Sequence, residues 1–529
     1  MEMLKKRFPF HRKPPYPDPV PLRKRKSQLY GTENGSSGRQ AGIIGANPSV
    51  VLFSVCFRLL NCYLVQTSFV PDEYWQSLEV AHRITFKYGY LTWEWTQGLR
   101  SYLYPLFFAS IYKVLHLLNK DTVQLLIITP RIVQALLAAF SDVKLYSLMR
   151  RLESPDVARW VYFCQLSSWF TWYCCTRTLT NTMETVFTII ALHYYPLQGS
   201  KTQNSFKYLT LVALAVIIRP TAAIIWLPLL IFHFFQEDNK VKLLLYNAAP
   251  VGILILGIST FIDSFFFGKW ILVHLNFLKF NVIHDVASFY GSHPWHWYFT
   301  QGIPVVLGPH LPFFIHGTLL APKRYRILLT AIVCTVIVYS LMAHKEFRFI
   351  YPILPFCMLF CGQSLAKLRS WRKPAVYFLL SFNLLPALYT GLVHQRGTLD
   401  VMAHIQQLCQ KDSVDSYVYF LMPCHSTPFY SHVHCPIQME FLQCPPDLSG
   451  NQSYTDEADV FYSDPMKWLQ QTFRAEAPIP THLVFFDNLE KDIHLFLESK
   501  NYTMAAAFFH THVPEGRVGE NVFVYERHL

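Results

Sequence analysis

The sequence predicts a polytopic α-helical membrane protein, with roughly eleven to thirteen spans on the positive-inside count, followed by a small α/β domain. Three observations carry that reading. Apolar stretches recur from residue 46 to residue 393. Only 15% of residues are charged, while 52% are apolar and 16% aromatic, against a charged share of roughly 25% in soluble domains. After about residue 394 the pattern changes to short alternating stretches between Pro-rich turns, which is the period of strands rather than spans.

In chain order, residues 1–45 are polar and rich in Pro, Gly and Ser, with basic residues clustered between Lys5 and Lys26. They read as a disordered basic cytosolic tail, and no cleavable signal peptide is evident. The net charge of +12 sits in this tail and in short loops between apolar segments, so it gives no reason to expect a nucleic-acid partner. Apolar segments follow at 46–68, 102–118, 123–148, 158–174, 180–197, 207–236, 244–267, 301–320, 326–343, 347–366 and 374–393. Several fall short of the ~20 residues of a perpendicular span. Breaks are expected at Pro130-Arg131 and at Arg219-Pro220, the latter dividing 207–236 into two short helices.

Charge sets the orientation. Lys323, Arg324 and Arg326 share one loop, and Lys367, Arg369, Arg372 and Lys373 share another two spans later. Basic loops of this kind face the cytosol. The stretch His344-Lys345-Glu346-Phe347-Arg348, the first loop at 69–101 and the chain after 393 then face the opposite, lumenal side. Parity fails in one place. Arg150, Arg151 and Arg159 also belong in the cytosol, which requires one or three crossings between residues 102 and 148, where two apolar segments stand.

The domain expected at 394–529 contains strand-like Tyr417–Leu421 and His482–Phe486. Cys409, Cys424, Cys435 and Cys444 cluster in it, and Asn451 and Asn501 begin glycosylation acceptor patterns, both in keeping with an oxidising lumen. Disulfides or free thiols fit these cysteines better than a zinc site completed by His425, His432 and His434, because no short paired-cysteine spacing is present. The remaining cysteines read as core filler.

The first loop holds the candidate chemistry. Tyr74, Leu78, Ala81 and Thr85 repeat at helical spacing, so residues 71–86 are expected to form a short helix on the membrane surface, with Asp72 and Glu73 in its first turn. Two acids there can simply complement the helix dipole. The loop continues through His82, Trp93, Glu94, Trp95 and Arg100, a mixture of aromatic, acidic and basic groups suited to stacking on sugars and binding their hydroxyls. Loops so equipped carry function more often than packing.

Four ordered motifs carry a resemblance: Phe69-Val-Pro-Asp-Glu-Tyr-Trp-Gln76 with Glu79-Val-Ala-His82; Tyr88-Gly-Tyr-Leu-Thr-Trp-Glu-Trp95; Arg177-Thr-Leu-Thr-Asn-Thr-Met-Glu184; and His344-Lys-Glu-Phe-Arg-Phe349. Over residues 46–393 the chain resembles the dolichyl-phosphate-mannose-dependent mannosyltransferases of the endoplasmic reticulum. The resemblance implies a multi-pass membrane protein of GT-C type with its active site in the lumen. It implies dolichyl phosphate mannose as donor, with no cofactor or metal, and the glycosylphosphatidylinositol (GPI) precursor glycolipid as acceptor, extended by a third, α-1,2-linked mannose. Whether it needs an obligate protein partner is left open by the resemblance. Rival acceptors are the dolichol-linked N-glycan and the GPI precursor at its fourth mannose. Many relatives place His before Pro-Asp-Glu; Val70 stands here and cannot share in catalysis.

Transfer from a β-linked donor to an α-linked product inverts the anomeric carbon, so a single displacement needs one carboxylate base and positive charge for the departing phosphate. Asp72 is the expected base, with Glu73 the alternative or an acceptor-positioning partner. Arg177, Arg219, His344, Lys345 and Arg348 are the candidate phosphate ligands. Each has a plainer reading, as a solvated loop with a local ion pair for 344–348 or a snorkelling anchor for Arg219. The ring-rich stretch His293–Tyr298 suits either a glycan platform or an interfacial aromatic belt. A lipid transporter or scramblase would also explain broken helices and intramembrane charge, but no internal repeat of the apolar pattern is evident.

Overall fold

The computed structural model describes residues 47–197, 205–283, 289, 291–411, 416–447, 454–474 and 477–528. The expected tail at 1–45 and the Asn451 pattern lie outside them.

Most of the chain is a helical bundle whose two ends are defined by ion pairs. At one end Arg324 donates to Glu153 at 2.6 Å and Arg372 to Asp156 at 3.1 Å. Arg151 reaches the His193 carbonyl at 2.6 Å there too. The basic turns around 151, 324 and 372 therefore share an end, as like-charged loops on one membrane face should. At the other end Asp72 meets Arg348, and Asp263 accepts the Tyr102 amide at 2.8 Å.

The parity conflict falls on the Leu103–Leu117 helix, which starts and finishes at the same end of the bundle. Tyr104, at its start, donates to the carbonyls of Thr178 and Leu179 at 2.9 and 3.0 Å, close to Glu73. Beyond its far end, Asp121 bonds His116 at 2.7 Å and lies 3.9 Å from His434. Both ends thus lie on the Asp72 side, and Phe108 and Tyr112 share an apolar core with Val401, Val418 and Val433. Between residues 102 and 148 only Val123–Leu152 passes through, and it runs unbroken across Pro130, contrary to the expected interruption there.

The passes among the described residues are then Pro48–Leu64; Val123–Leu152; Pro155–Ser167 continued by Trp169–Cys174; Thr180–Tyr194; Ser205–Ile218; Ala222–Gln236; Lys242–Phe267; Tyr298–Leu320; Lys323–Leu341; Phe347–Lys367; and Arg372–Leu392. That makes eleven. Arg219-Pro220 does divide its segment into two helices, because proline disfavours helical backbone in the residue before it. Close packing in the bundle relies on small residues. A Cβ on Gly362 would stand 2.3 Å from the Val161 side chain and 2.5 Å from its backbone nitrogen.

Strands occur only after residue 416 among the described residues. They are β1 (Tyr417–Phe420), β2 (Gln438–Phe441), β3 (His482–Phe486), β4 (Tyr502–Phe509) and β5 (Asn521–Arg527), ordered β2-β1-β3-β5-β4. The first three are parallel, and β5 runs antiparallel to β3 and β4. β1 and β3 occupy the stretches the alternating pattern predicted. They are buried on both faces, as parallel strands flanked by helices must be. Disulfides Cys409–Cys435 and Cys424–Cys444 interlock in sequence and staple this region. With its sulfurs bonded in this way, the cysteine cluster does not offer zinc ligands.

Candidate active site

The helix expected at 71–86 forms, opening at Asp72 and passing through a π-helical turn, Tyr74–Leu78, into Glu79–Phe86. It does not lie open on a membrane surface. Its apolar face, with Tyr74, Leu78 and Ala81, is buried, and the opposite face is covered by the C-terminal region. Trp75 packs on His425, Phe429 and Phe441, and its indole N–H donates to the Thr427 carbonyl at 3.1 Å. Buried Glu79 accepts the amides of Phe429 and Ser431 and the Ser431 hydroxyl. Burial pushes the Glu79 carboxyl up to about 7, against the pull of those donors.

The two adjacent acids point to different partners. Successive residues on a helix project roughly 100° apart, and here that separates exposure from burial. The Glu73 side chain is 3% exposed and is held by Arg177 at 2.8 Å. That guanidinium also donates to the carbonyls of Thr67 and Tyr173 and stacks on the Tyr173 ring at 4.3 Å. The Asp72 side chain is 25% exposed and pairs with Arg348. Arg348 in turn forks onto Glu346 at 2.5 and 2.6 Å, and Glu346 bonds His344 at 3.0 Å. His344, Glu346, Arg348 and Asp72 thus form one continuous charged chain at the mouth of the bundle. Burial pushes the His344 imidazole down, but its hydrogen bond and charge interaction with Glu346 prevail and hold it above its ordinary value. The same partners hold the Glu346 carboxyl well below the carboxylate range despite burial.

The other expected residues fall into two groups. Arg100 bonds Glu94 at 3.1 and 2.7 Å and feels the charges of both Asp72 and Arg348, so this pair borders the chain. Lys345 donates to the backbone carbonyls of His293 and Met342. Arg219 lies 3.2 Å from Glu184, donates to Asn181 at 3.2 Å and stands 5.0 Å over Phe349, next in sequence to Arg348. Asn181 donates onward to the Arg348 carbonyl at 3.1 Å. Trp93 is half-buried beside Glu94. By contrast, Trp95 is fully buried, donating to the Trp75 carbonyl and packing on Tyr102. His82 is buried against His434 at 2.9 Å. These two rings hold the loop together and offer no open face to a sugar. Asn501 is exposed on the turn before β4.

The ring-rich stretch at 293–298 acts as a brace. The Tyr298 hydroxyl donates to the Glu346 carbonyl at 3.1 Å, and the His293 amide donates to Ala343 at 3.0 Å. His425 is legible in the sequence only as a candidate zinc ligand, and Glu79 and Asn181 are not legible as site-forming residues. Their partners lie 38 to 352 positions away, and no local spacing marks such contacts.

The Asp72–Arg348–Glu346–His344 chain offers an accessible carboxylate beside several cations, the pairing required for displacing an anionic leaving group under general-base assistance. A profile described as "Alg9-like mannosyltransferase family" matches residues 49–434. The Homo sapiens protein "GPI alpha-1,2-mannosyltransferase 3" is 64% identical over 96% of this chain and 93% of its own length. The Drosophila melanogaster "GPI mannosyltransferase 3" is 42% identical over 88% of this chain and 84% of its own. Among solved structures, ArnT from Cupriavidus metallidurans bound to undecaprenyl phosphate superposes with a TM-score of 0.59 at 12% identity, covering 90% of this chain and 97% of that one. The Archaeoglobus fulgidus oligosaccharyltransferase superposes with a TM-score of 0.50, covering 91% and 74%. At such identity the likeness speaks for the fold, which is of GT-C type.

Proposed function

Because the chain belongs to the Alg9-like mannosyltransferase family, we propose that it transfers mannose from dolichyl phosphate mannose to the GPI precursor, adding the third mannose in α-1,2 linkage with inversion. The observation that carries the mechanism is the divergence of the two acids: Glu73 is closed off by Arg177, whereas Asp72 stays partly open within a cationic cluster. Asp72 takes the proton from the acceptor hydroxyl as its oxygen bonds to the anomeric carbon. The bond from that carbon to the phosphate oxygen breaks, and the electron pair leaves on dolichyl phosphate.

Arg348 holds the Asp72 carboxylate in place, and Glu346 with His344 fixes Arg348. Lys345 and Arg219 are the best-placed cations for the phosphate, since one is held by carbonyls and the other by a single acid at 3.2 Å. Arg100 supports the same field from the first loop. The Glu73–Arg177 pair is structural in this reading. The rival acceptors find no support in the names of the most similar relatives. A transporter is at odds with membership of an enzyme family.

Membership of a GPI-pathway family and the six helices of membrane-spanning length favour the endoplasmic reticulum membrane. The end carrying Arg151, Arg324 and Arg372 would face the cytosol, with Asp72 and the C-terminal sheet in the lumen. Dolichyl phosphate mannose and a two-mannose GPI precursor, supplied to the purified protein in lipid vesicles, test the reading. The expected product gains one α-1,2-linked mannose. A precursor left at two mannoses, or extension of an N-glycan precursor instead, would overturn it.

A further inference from the structure

The C-terminal loop between β1 and β2 brings a histidine to Asp72 from the side opposite in sequence to the family motifs. His425 holds a left-handed backbone, φ 63°, a conformation that is unfavourable for a non-glycine residue and gathers at functional sites. The preceding residue is pinned by the Cys424–Cys444 disulfide, and a ring nitrogen of His425 lies within 4.8 Å of both sulfurs.

The ring packs against Trp75 at 4.8 Å and Phe441 at 5.3 Å. These residues, with Phe420, Met422, Pro423, Ser426 and Thr427, line a small cleft beside the start of the Asp72 helix. Neither ring nitrogen has a hydrogen-bond partner among the described residues, and neither is a buried orphan, so both are open to a ligand at the cleft. Burial lowers its pKa to about 4 despite the opposing charge of Asp72, so the ring is neutral near pH 7 and can both donate and accept.

We propose that His425 is an acceptor-binding residue, its imidazole contacting a ring hydroxyl of the acceptor's terminal hexose and holding that sugar toward Asp72. The inference rests on the mannosyl-transfer reading. It explains why a disulfide-anchored residue in a left-handed turn presents accessible, unpartnered nitrogens at the cleft beside the Asp72 helix. It also gives that region a direct part in acceptor selection, in addition to covering the Asp72 helix.

The test uses the full-length protein in vesicles, varying dolichyl phosphate mannose and the two-mannose GPI precursor separately for wild type, His425→Gly and His425→Asn. Glycine keeps the left-handed turn without strain and removes the imidazole; asparagine tolerates the turn and keeps a donor and an acceptor. The expected result is an acceptor KM raised roughly 3- to 10-fold in His425→Gly, the worth of one hydrogen bond, with donor KM unchanged and partial recovery in His425→Asn. A purely conformational role predicts wild-type acceptor KM in the glycine variant. That result, or equal changes in both KM values, would overturn the proposal. Failure of wild type to extend the precursor would instead overturn the mannosyl-transfer reading.

Discussion

Replacing each acid of the adjacent pair by its amide separates the two roles. Asp72→Asn keeps the shape and leaves an oxygen for Arg348 but cannot take a proton. Loss of a general base costs roughly 10²- to 10⁴-fold in rate, or about 3 to 5 kcal/mol at 1.36 kcal/mol per decade. The side chain is partly open and its partner Arg348 keeps Glu346, so stability changes little. Glu73→Gln does the reverse. It leaves the Arg177 guanidinium buried without a counter-charge, a defect of about 3 to 5 kcal/mol when one partner of a buried pair is removed. Folded protein then falls in yield and melting temperature, while the rate per folded molecule stays near wild type. The assay is transfer from labelled dolichyl phosphate mannose to the two-mannose GPI precursor, normalised to monodisperse protein, alongside a melting curve. An Asp72→Asn protein within about tenfold of wild type would refute the base assignment, being short of the general-base range. A Glu73→Gln protein that melts normally yet loses turnover would refute the structural reading of Glu73–Arg177.

Four further outcomes follow from the same geometry. Burial raises Glu79 to about 7, so the folded state binds more protons than the unfolded chain between about pH 4.5 and 7, and stability falls as pH rises through that window, by up to about 3 kcal/mol; melting temperatures from pH 5 to 8 should slope less in Glu79→Gln, and parallel curves would contradict the burial argument. Gly362→Leu has no room against Val161 and should cost at least the 1 to 3 kcal/mol of ordinary overpacking, seen as loss of monodisperse protein on size-exclusion chromatography. Removing Cys409–Cys435 by paired Cys→Ser changes, which opens a 26-residue separation, should lower stability by about 3 kcal/mol; Asn501, exposed on its turn, should carry glycan in cells, as a mobility shift on enzymatic deglycosylation would show.

The sequence by itself determined the class of molecule, because apolar length, low charge and basic loops report directly on the solvent each segment meets. It located β1 and β3 through residue alternation, marked the four cysteines as disulfides or free thiols ahead of a zinc site, and picked out Asp72, Arg348 and the first-loop residues through motif order; the pairing that makes the cysteines a staple came from the fold. Other features were decided only in three dimensions. Leu103–Leu117 is as apolar as a span, yet the aromatic face of Phe108 and Tyr112 is satisfied by the C-terminal core and not by lipid; hydropathy counts apolar surface without saying what covers it. Trp95 and His82 have the composition of a sugar platform but are spent inside the loop. Asp72 and Glu73 are neighbours of equal charge in the chain, and only the positions of Arg348, 276 residues away, and Arg177, 104 residues away, leave the first open and close the second. Composition and local period are properties of neighbours along the chain, whereas the partner of a charge is fixed by the packing of helices distant in sequence.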